Sequence, residues 1–589
     1  MFERKGYIIG QQFMKFFLPT VLMTMALSLS TVVDGMIVGN ILGPDALAAV
    51  NLVLPVTLLF NTVYVLFGVG GSTLFSVALG ERDHERARQL FTVSVGAMVV
   101  TAVMVLFIGL FLCRHIAQGL TGNAPNLTEL VYQYIRVVML AAPFLIVVPG
   151  LVYFLRSSGA VRIASSTLIV ANLVNLALDI IFIVIFHSGI GGAALATACG
   201  YLVGLLIALW GIRRSKELRF SKKHEHPLRM AREMAGTGLP SAVNTSLNFF
   251  RLTSINAIVM MYLGSDGVTA FSVCTSCLSI VSMFISGSAQ TMIPLLGTLH
   301  GEKDTAGIRF TVRKAIFITG TSRLLLLLMF ETVPAQITAL FGVTAPAQVS
   351  IAVEAIRIFA LSLPFTGILF LFMCVYQVLG YRKLSNMIAL LEGFAIVVPA
   401  AWLLARLFGP HGIWWAFLIG ELLTLAVLGG AIAAIRSKHR ELTGVFLLEK
   451  AGQDKMLDVT MIQTDKQATD LSSQAIQFCK ENQVPELTAN KVGVALEEMA
   501  VNTVLRNRKA DKKAYIDVRL IMDEECILIS FRDNGPPFNP LEKKDEAEEF
   551  DNINVAIAMS SEISYDNILG MNCSMIKIKR ENERSMRYE

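Results

Sequence analysis

The stretch FFLPTVLMTMALSLSTVVDGMIVGNILG, Phe16 to Gly43, decides how the chain is read. It is 28 residues of mainly apolar sequence, and crossing a bilayer takes roughly 20. It carries one carboxylate, Asp34. A charge at membrane depth is costly, so it usually faces a cavity and has a function. The plain alternative is a residue near the helix end, in the headgroup layer.

Outward from this stretch the same texture continues. The 589 residues are 54% hydrophobic and only 16% charged, with a mean hydropathy of +0.60. These values define a polytopic α-helical membrane protein. Twelve apolar runs lie between about residues 14 and 436. Arg4 and Lys5 precede the first run without a small-residue cleavage site, so it is expected to be retained as a span. The net charge of +5 comes from basic residues in short loops and does not imply nucleic-acid binding. Cys274 and Cys277 have metal-ligand spacing but sit in an apolar run without partners, and read as small helix-packing residues. No disulfide framework is expected.

The first half of this region recurs in the second at an offset of 221. Leu18-Pro19 returns as Leu239-Pro240, Gly43 and Asp45 as Gly264 and Asp266, and Gly80 to Asp83 as Gly301 to Asp304. Pro143-Phe144 returns as Pro364-Phe365 and Gly159 as Gly380. The register slips by about two residues only near Gly189 and Gly412. Internal duplication follows. Each copy holds six runs, an even number, so both enter the membrane from one side. Two six-helix parallel repeats are expected, with a site between or within them near the midplane.

Arg82, Arg86 and Arg88 follow the second run, and Arg156 and Arg162 lie between the fourth and fifth. Eight further basic residues from Arg213 to Arg232 join the halves. The opposite loops are almost free of Lys and Arg. The positive-inside rule places both termini in the cytoplasm. The domains read as a first lobe (1–215), a basic linker (216–234), a second lobe (235–437), a linker (438–455), a soluble α+β domain (456–580) and a tail (581–589). Strands are expected near 457–463, 514–522, 525–531 and 574–579, with helices over 465–480, 487–506 and 552–562.

In the fifth run Asn175 and Asp179 are four apart and share a helix face. With Asp34, and with Thr197 of the sixth run, they make a set of hard oxygen ligands suited to a proton or a small cation such as Na⁺. The second repeat has Ile255 where the first has Asp34, and positions near Ile396 and Ala400 face Asn175 and Asp179. Its polar residues are others. Gln290, Gln377, Glu392 and Glu421 are candidates for a substrate cavity, Arg251 is a further charge, and Glu354 and Arg357 are expected to pair.

The pattern Pro19…Asp34-Gly-Met-Ile-Val-Gly…Leu-Gly-Pro-Asp-Ala-Leu-Ala-Ala-Val, followed by Gly-Glu-Arg-Asp, resembles transporters of the multidrug and toxic compound extrusion family over about residues 1–440. The resemblance implies two six-helix lobes around a V-shaped cavity, in a bacterial cytoplasmic membrane. It implies exchange of small organic, cationic amphiphilic substrates for Na⁺ or H⁺. Asp34, Asn175, Asp179 and Thr197 inherit the family's cation-binding role. The family's second-lobe carboxylates have no match here. A related group of lipid-precursor flippases shares the lobes, with strongly cationic interiors that Arg251 and Arg357 do little to supply.

In the soluble region, Glu498-Met-Ala-Val-Asn502 lies on an amphipathic helix and Asp533-Asn-Gly535-Pro-Pro-Phe538 follows a strand. This pairing resembles the Bergerat-type ATP-binding fold of histidine kinases and of anti-sigma-factor kinases. The resemblance gives Asp533 the adenine amino group, Gly535 a close approach to the base, Asn502 a Mg²⁺ ion and Glu498 the role of general base. The family's glycine-rich phosphate loop is replaced here by Asp551-Asn-Ile-Asn-Val555, which disfavours triphosphate. Kinase chemistry is therefore not expected. The domain reads as a regulatory module with ATP and Mg²⁺ as candidate ligands and a cytoplasmic protein as its partner; the rival is a membrane sensor whose tail acts as a kinase or docking module.

Overall fold

The computed structural model describes residues 4–122, 125–222, 226–341, 343, 345–449, 456–462, 465–509, 515–523, 525–539, 541 and 553–580. Ten helices are long and apolar enough to cross a membrane. One of them, Pro227–Gly301, is broken at Gly264, whose φ of 62° and ψ of −154° are not helical. Counting it as two, and the bent pair Gln348–Ala360 and Leu363–Val378 as one, gives twelve spans among the described residues. The first six are Tyr7–Leu42, Asp45–Gly80, His84–Thr121, Asn126–Ser157, Val161–Ile185 and Gly189–Arg214. The broken helix supplies the seventh and eighth. Thr305–Thr332 is the ninth, the bent pair the tenth, and Arg382–Phe408 and Gly412–Lys438 the last two.

The chain divides into two units, one of which holds Phe13–Asp304 and Thr311–His439. In this unit each repeat has its own core. Phe154 packs edge-on against Phe75 and Phe91 in the first, and Phe417 packs edge-on against Phe359 in the second. Phe111 and Met261, 84% and 74% exposed, point outward. Apolar side chains left this bare on long apolar helices suit lipid and not water.

The repeats copy each other at their strained turns. Gly43 and Gly264 have φ of 92° and 62°, and Gly159 and Gly380 have 88° and 82°. Glycine is the residue that takes such angles without steric cost. The repeats also touch through equivalent residues. A Cβ on Gly80 would overlap the Thr298 carbonyl, and a Cβ on Gly301 would overlap that of Val77. Each member of these pairs is 221 residues from its counterpart, so the contact is a pseudo-twofold one.

The second unit comprises Met1–Gln12, Thr305–Phe310 and Arg440–Glu589. Two short strands, β1 (Leu442–Thr443) and β2 (Leu448–Glu449), form a hairpin. The main sheet is antiparallel, with β3 (Met456–Ile462), β4 (Tyr515–Met522), β5 (Cys526–Asp533), β6 (Glu562–Ile568) and β7 (Met571–Lys579) in the order β3-β4-β5-β7-β6. Helices Asp465–Glu481 and Glu486–Lys509 cover it with Leu471, Val492, Leu496 and Val504. The sequence reading missed β6. The expected helix over 552–562 ends at Met559, and the alternating EISYDNI that follows forms a hairpin with β7. Asp551, Asn552, Pro540, residues 450–455 and 581–589 lie outside the described residues.

Within this unit the first residues of the chain lie on the sheet. The Arg4 side chain, 4% exposed, reaches Asp458 at 3.1 Å and has its Nε 3.7 Å from Asp517. The Lys5 amide donates to Thr460 Oγ1 at 3.0 Å, and Thr460 donates to Asp517 at 2.7 Å. Gln11 Oε1 accepts from Asn534 Nδ2 at 2.5 Å, and Gln12 donates to the Leu569 carbonyl.

Candidate functional sites

In the first lobe the expected acids come together. Asn175 Nδ2 donates to Asp179 Oδ2 at 2.9 Å, as their four-residue spacing requires. The Asp179 carboxyl is also paired with that of Asp34. Asn175 and Asp179 are 4% and 2% exposed. The Oδ1 of each acid is buried without a hydrogen-bond partner, and among the described residues no Lys or Arg compensates either acid. Two carboxyl groups in such a pocket repel unless a proton or a cation lies between them. Thr197 donates to the Ala193 carbonyl of its own helix at 3.2 Å, which leaves its lone pairs as the only means of joining the set. Tyr134 and Tyr201, which the sequence reading passed over, lie within electrostatic range of Asp34.

Local backbone geometry marks the same place. The first span changes to a π-helical turn at Val38–Leu42, four residues after Asp34, and the fifth at Ile180–Ile185, beginning just after Asp179. Two further such turns occur at Val65–Val69 and Leu391–Ala395. π-helical turns are frequent at functional sites, and the extra residue re-aims the side chains beside it.

Val65 and Val69 line a cavity of about 260 Å³ between the lobes, with Tyr64 and Tyr153 from the first repeat. Ser241, Asn244 and Gln290 line it from the second. Gln290, expected at a substrate cavity, is one of the residues lining this one. Arg156, expected in a basic loop, is instead buried and donates to Gln290 Oε1. Gln377 stands behind the wall and accepts from Ser241 Oγ at 2.7 Å.

Glu392 and Glu421 do not line this cavity, contrary to expectation. They are 3% and 2% exposed and lie inside the second lobe, within electrostatic range of Arg251 and Arg323. The reason is charge. An acid at this depth is held by buried cations, and the second repeat supplies two. Arg323 was missed, although one charge in TSRLLLLLMF is the same signal that flags Asp34. Arg357 is exposed and lies 3.9 Å from Glu331, while Glu354 meets His411 at 2.7 Å, so the expected pairing of Glu354 with Arg357 is replaced by two others.

In the soluble unit Asn502 and Asp533 line one small cavity, and Glu498 lies a turn before Asn502 on helix Glu486–Lys509. Asp533 is 3% exposed. Its Oδ1 accepts from the Gly535 amide at 2.9 Å and from Asn572 Nδ2 at 3.0 Å. Its Oδ2 accepts from Arg506 Nη2 at 3.2 Å. The Arg506 guanidinium also lies over the Phe538 ring, 4.4 Å from its centroid. The space left is about 10 Å³, room for about one water. Burial pushes the Asp533 carboxyl up, against the opposing pull of Arg506, Asn572 and the Gly535 amide. Asn554 and Val555, expected at the phosphate approach, fall in helix Ile553–Met559.

Residues 19–181 and 240–403 match the MatE family. Residues 463–567 match the histidine kinase-like ATPase domain. Multidrug export protein MepA of Staphylococcus saprophyticus is 25% identical over 424 residues, covering 71% of this chain and 92% of that protein. The protein of the same name from Staphylococcus aureus is 25% identical over 410 residues, 69% of this chain and 90% of its own length. The fold is shared with an outward-facing multidrug resistance MATE family transporter of the MOP superfamily. The TM-score is 0.68 at 22% identity, over 74% of this chain and 99% of that one.

Proposed function

This chain belongs to the MatE family of membrane transporters, and we propose that it exports small organic cations in exchange for Na⁺ or H⁺ bound between Asp34 and Asp179. The observation that carries the reading is the carboxyl pair itself. Asp179 is buried and Asp34 half-buried, Asn175 donates to Asp179, no Lys or Arg among the described residues pairs with either acid, and one oxygen on each is unsatisfied. Such a site takes a proton or a hard cation. The export of drugs by curated relatives with the same two-repeat region supports the substrate class.

Alternating access couples the two fluxes. A cation between Asp34 and Asp179 draws the first span against the fifth; without it the two charges part. The lobes then have two packings that differ in affinity for substrate. Exchange follows when each ligand weakens the other. The basic loops support a bacterial cytoplasmic membrane location with both termini inside.

The soluble domain is read as a cytoplasmic regulatory module. Its support is twofold: Arg506 occupies the acid that its relatives offer to adenine, and the residues that open the first span rest on its sheet.

The test is uptake of tetraphenylphosphonium into inverted proteoliposomes under separately imposed Na⁺ and pH gradients. Wild type is expected to respond to one gradient. Asp34→Asn and Asp179→Asn should each lose at least about tenfold of that response, the scale of one charge-assisted interaction. Unchanged gradient-driven uptake in both variants sinks the mechanism. A chain ended at residue 451 should still transport; loss of all transport would favour a sensor whose membrane part and tail act as one.

A further inference from the structure

The exchange mechanism leaves the charged cluster of the second lobe without a task. Arg323, in the ninth span, is 1% exposed, and its Nε, Nη1 and Nη2 have no hydrogen-bond partner among the described residues. Arg251 donates from Nη1 to the Glu392 backbone carbonyl at 2.8 Å, and its Nε is unpartnered. Glu421 accepts from Thr366 Oγ1 at 3.0 Å through Oε1, while its Oε2 and that of Glu392 are unpartnered. Arg323 is within electrostatic range of both acids but forms no ion pair with either. A guanidinium buried at membrane depth with unused donors is costly, and such groups are kept where a ligand or counter-charge completes them.

The cluster reuses the helices of the first-lobe site. Arg251 and Glu392 are 221 residues beyond Ser30 and Ala171, one helical turn before Asp34 and Asn175. With the two-residue register slip, Glu421 corresponds to Ala198, next to Thr197. Glu392 lies in the π-helical turn Leu391–Ala395, as Asp179 adjoins its own. The tenth span comes close to Arg323 at Gly367, where a Cβ would be 3.5 Å from Nε.

We propose that the second lobe holds an oxyanion site, in which the Arg323 guanidinium grips a carboxylate or phosphate group beside Arg251, Glu392 and Glu421. Charge selects the ligand. A guanidinium is a permanent cation, whereas a carboxylate can take up a proton. An anion that enters with one proton leaves the cluster's net charge unchanged. A cation has no such route, because it adds to two fixed positive charges. The guanidinium fork also matches a planar or tetrahedral oxyanion in geometry. The two lobes then have opposite preferences, the first for cations and the second for anions.

The test is calorimetric titration of the full-length protein in nanodiscs, with benzoate, inorganic phosphate and tetraphenylphosphonium as probes. Benzoate or phosphate should bind wild type saturably, and whichever binds identifies an organic carboxylate or a free inorganic anion as the source. Arg323→Gln should weaken that binding at least about tenfold and leave tetraphenylphosphonium binding unchanged. Glu421→Gln removes a repelling charge and should tighten the anion. The proposal is overturned if neither anion binds wild type saturably, or if folded Arg323→Gln binds it equally well. Should Arg323→Gln fail to fold, unchanged or weaker anion binding in Glu421→Gln overturns it. Loss of tetraphenylphosphonium binding in wild type would instead strike the cation-export reading and leave this site standing.

Discussion

The Arg506 guanidinium holds the Asp533 carboxylate at 3.2 Å while lying over Phe538. The acid that the resemblance assigns to adenine is thus already engaged, and a flat aromatic surface beside it is covered by the same side chain. Removing this plug should open the pocket. Arg506→Ala is expected to bind ADP at least about tenfold more tightly than wild type, the worth of one charge-assisted hydrogen bond. Equal affinity by calorimetry would mean that Arg506 is not what closes the site.

Asp533 gives the soluble domain a pH dependence of definite sign. Burial raises its carboxyl above the ordinary value of 3.8, so the folded domain holds the proton more tightly than the unfolded chain does. The stabilisation from this group is complete below the ordinary value and is lost as pH rises through the raised one. Asp533→Asn removes that slope. Thermal unfolding of the soluble domain followed from about pH 4 to about pH 7 should show wild type losing ground to the variant as pH rises. The opposite trend would contradict the assignment.

Arg4 lies beside two acids, bonding Asp458 at 3.1 Å and standing 3.7 Å from Asp517, and their side chains are 14% and 2% exposed. Breaking a buried pair by removing one partner leaves an uncompensated charge and costs about 3 kcal/mol. Arg4→Ala should therefore accelerate amide exchange in β3 and β4, with little change in β6. Wild-type exchange rates in β3 would show that the ion pairs contribute nothing.

Gly80 and Gly301 tolerate no side chain where the repeats meet, since a Cβ on either overlaps a backbone carbonyl. Gly80→Val and Gly301→Val should each destabilise the membrane unit by about 1–3 kcal/mol, the usual cost of overpacking. The pseudo-twofold contact predicts similar losses for the two variants. A melting temperature lowered by one and untouched by the other would break the symmetry argument.

Some parts of the site were legible in the chain because they rest on local rules. Asp34 stood out as one charge in an apolar run, and Asn175 with Asp179 as an i, i+4 pair. Glu392 and Glu421 carried the same kind of signal but were assigned to the wrong surroundings. Nothing in their own helices tells whether a buried acid faces a cavity or an arginine from the ninth span. β6 was misread for a related reason. EISYDNI is short, and among the described residues β7 is the only strand it pairs with, so its pattern was absorbed into the preceding helix.

By itself the sequence determined the number of repeats, their parallel sense, the turn glycines and the identity of the costly charges, because periodicity, hydropathy and backbone angles act over a few residues. Only the tertiary structure decided which charges meet. Asp34 has another acid as its neighbour, Glu392 and Glu421 have arginines nearby, and Asp533 has Arg506. These pairings join positions up to 170 residues apart, from Arg251 to Glu421. Electrostatic partnership in a poorly solvated interior depends on distance across packed helices, which no local pattern encodes.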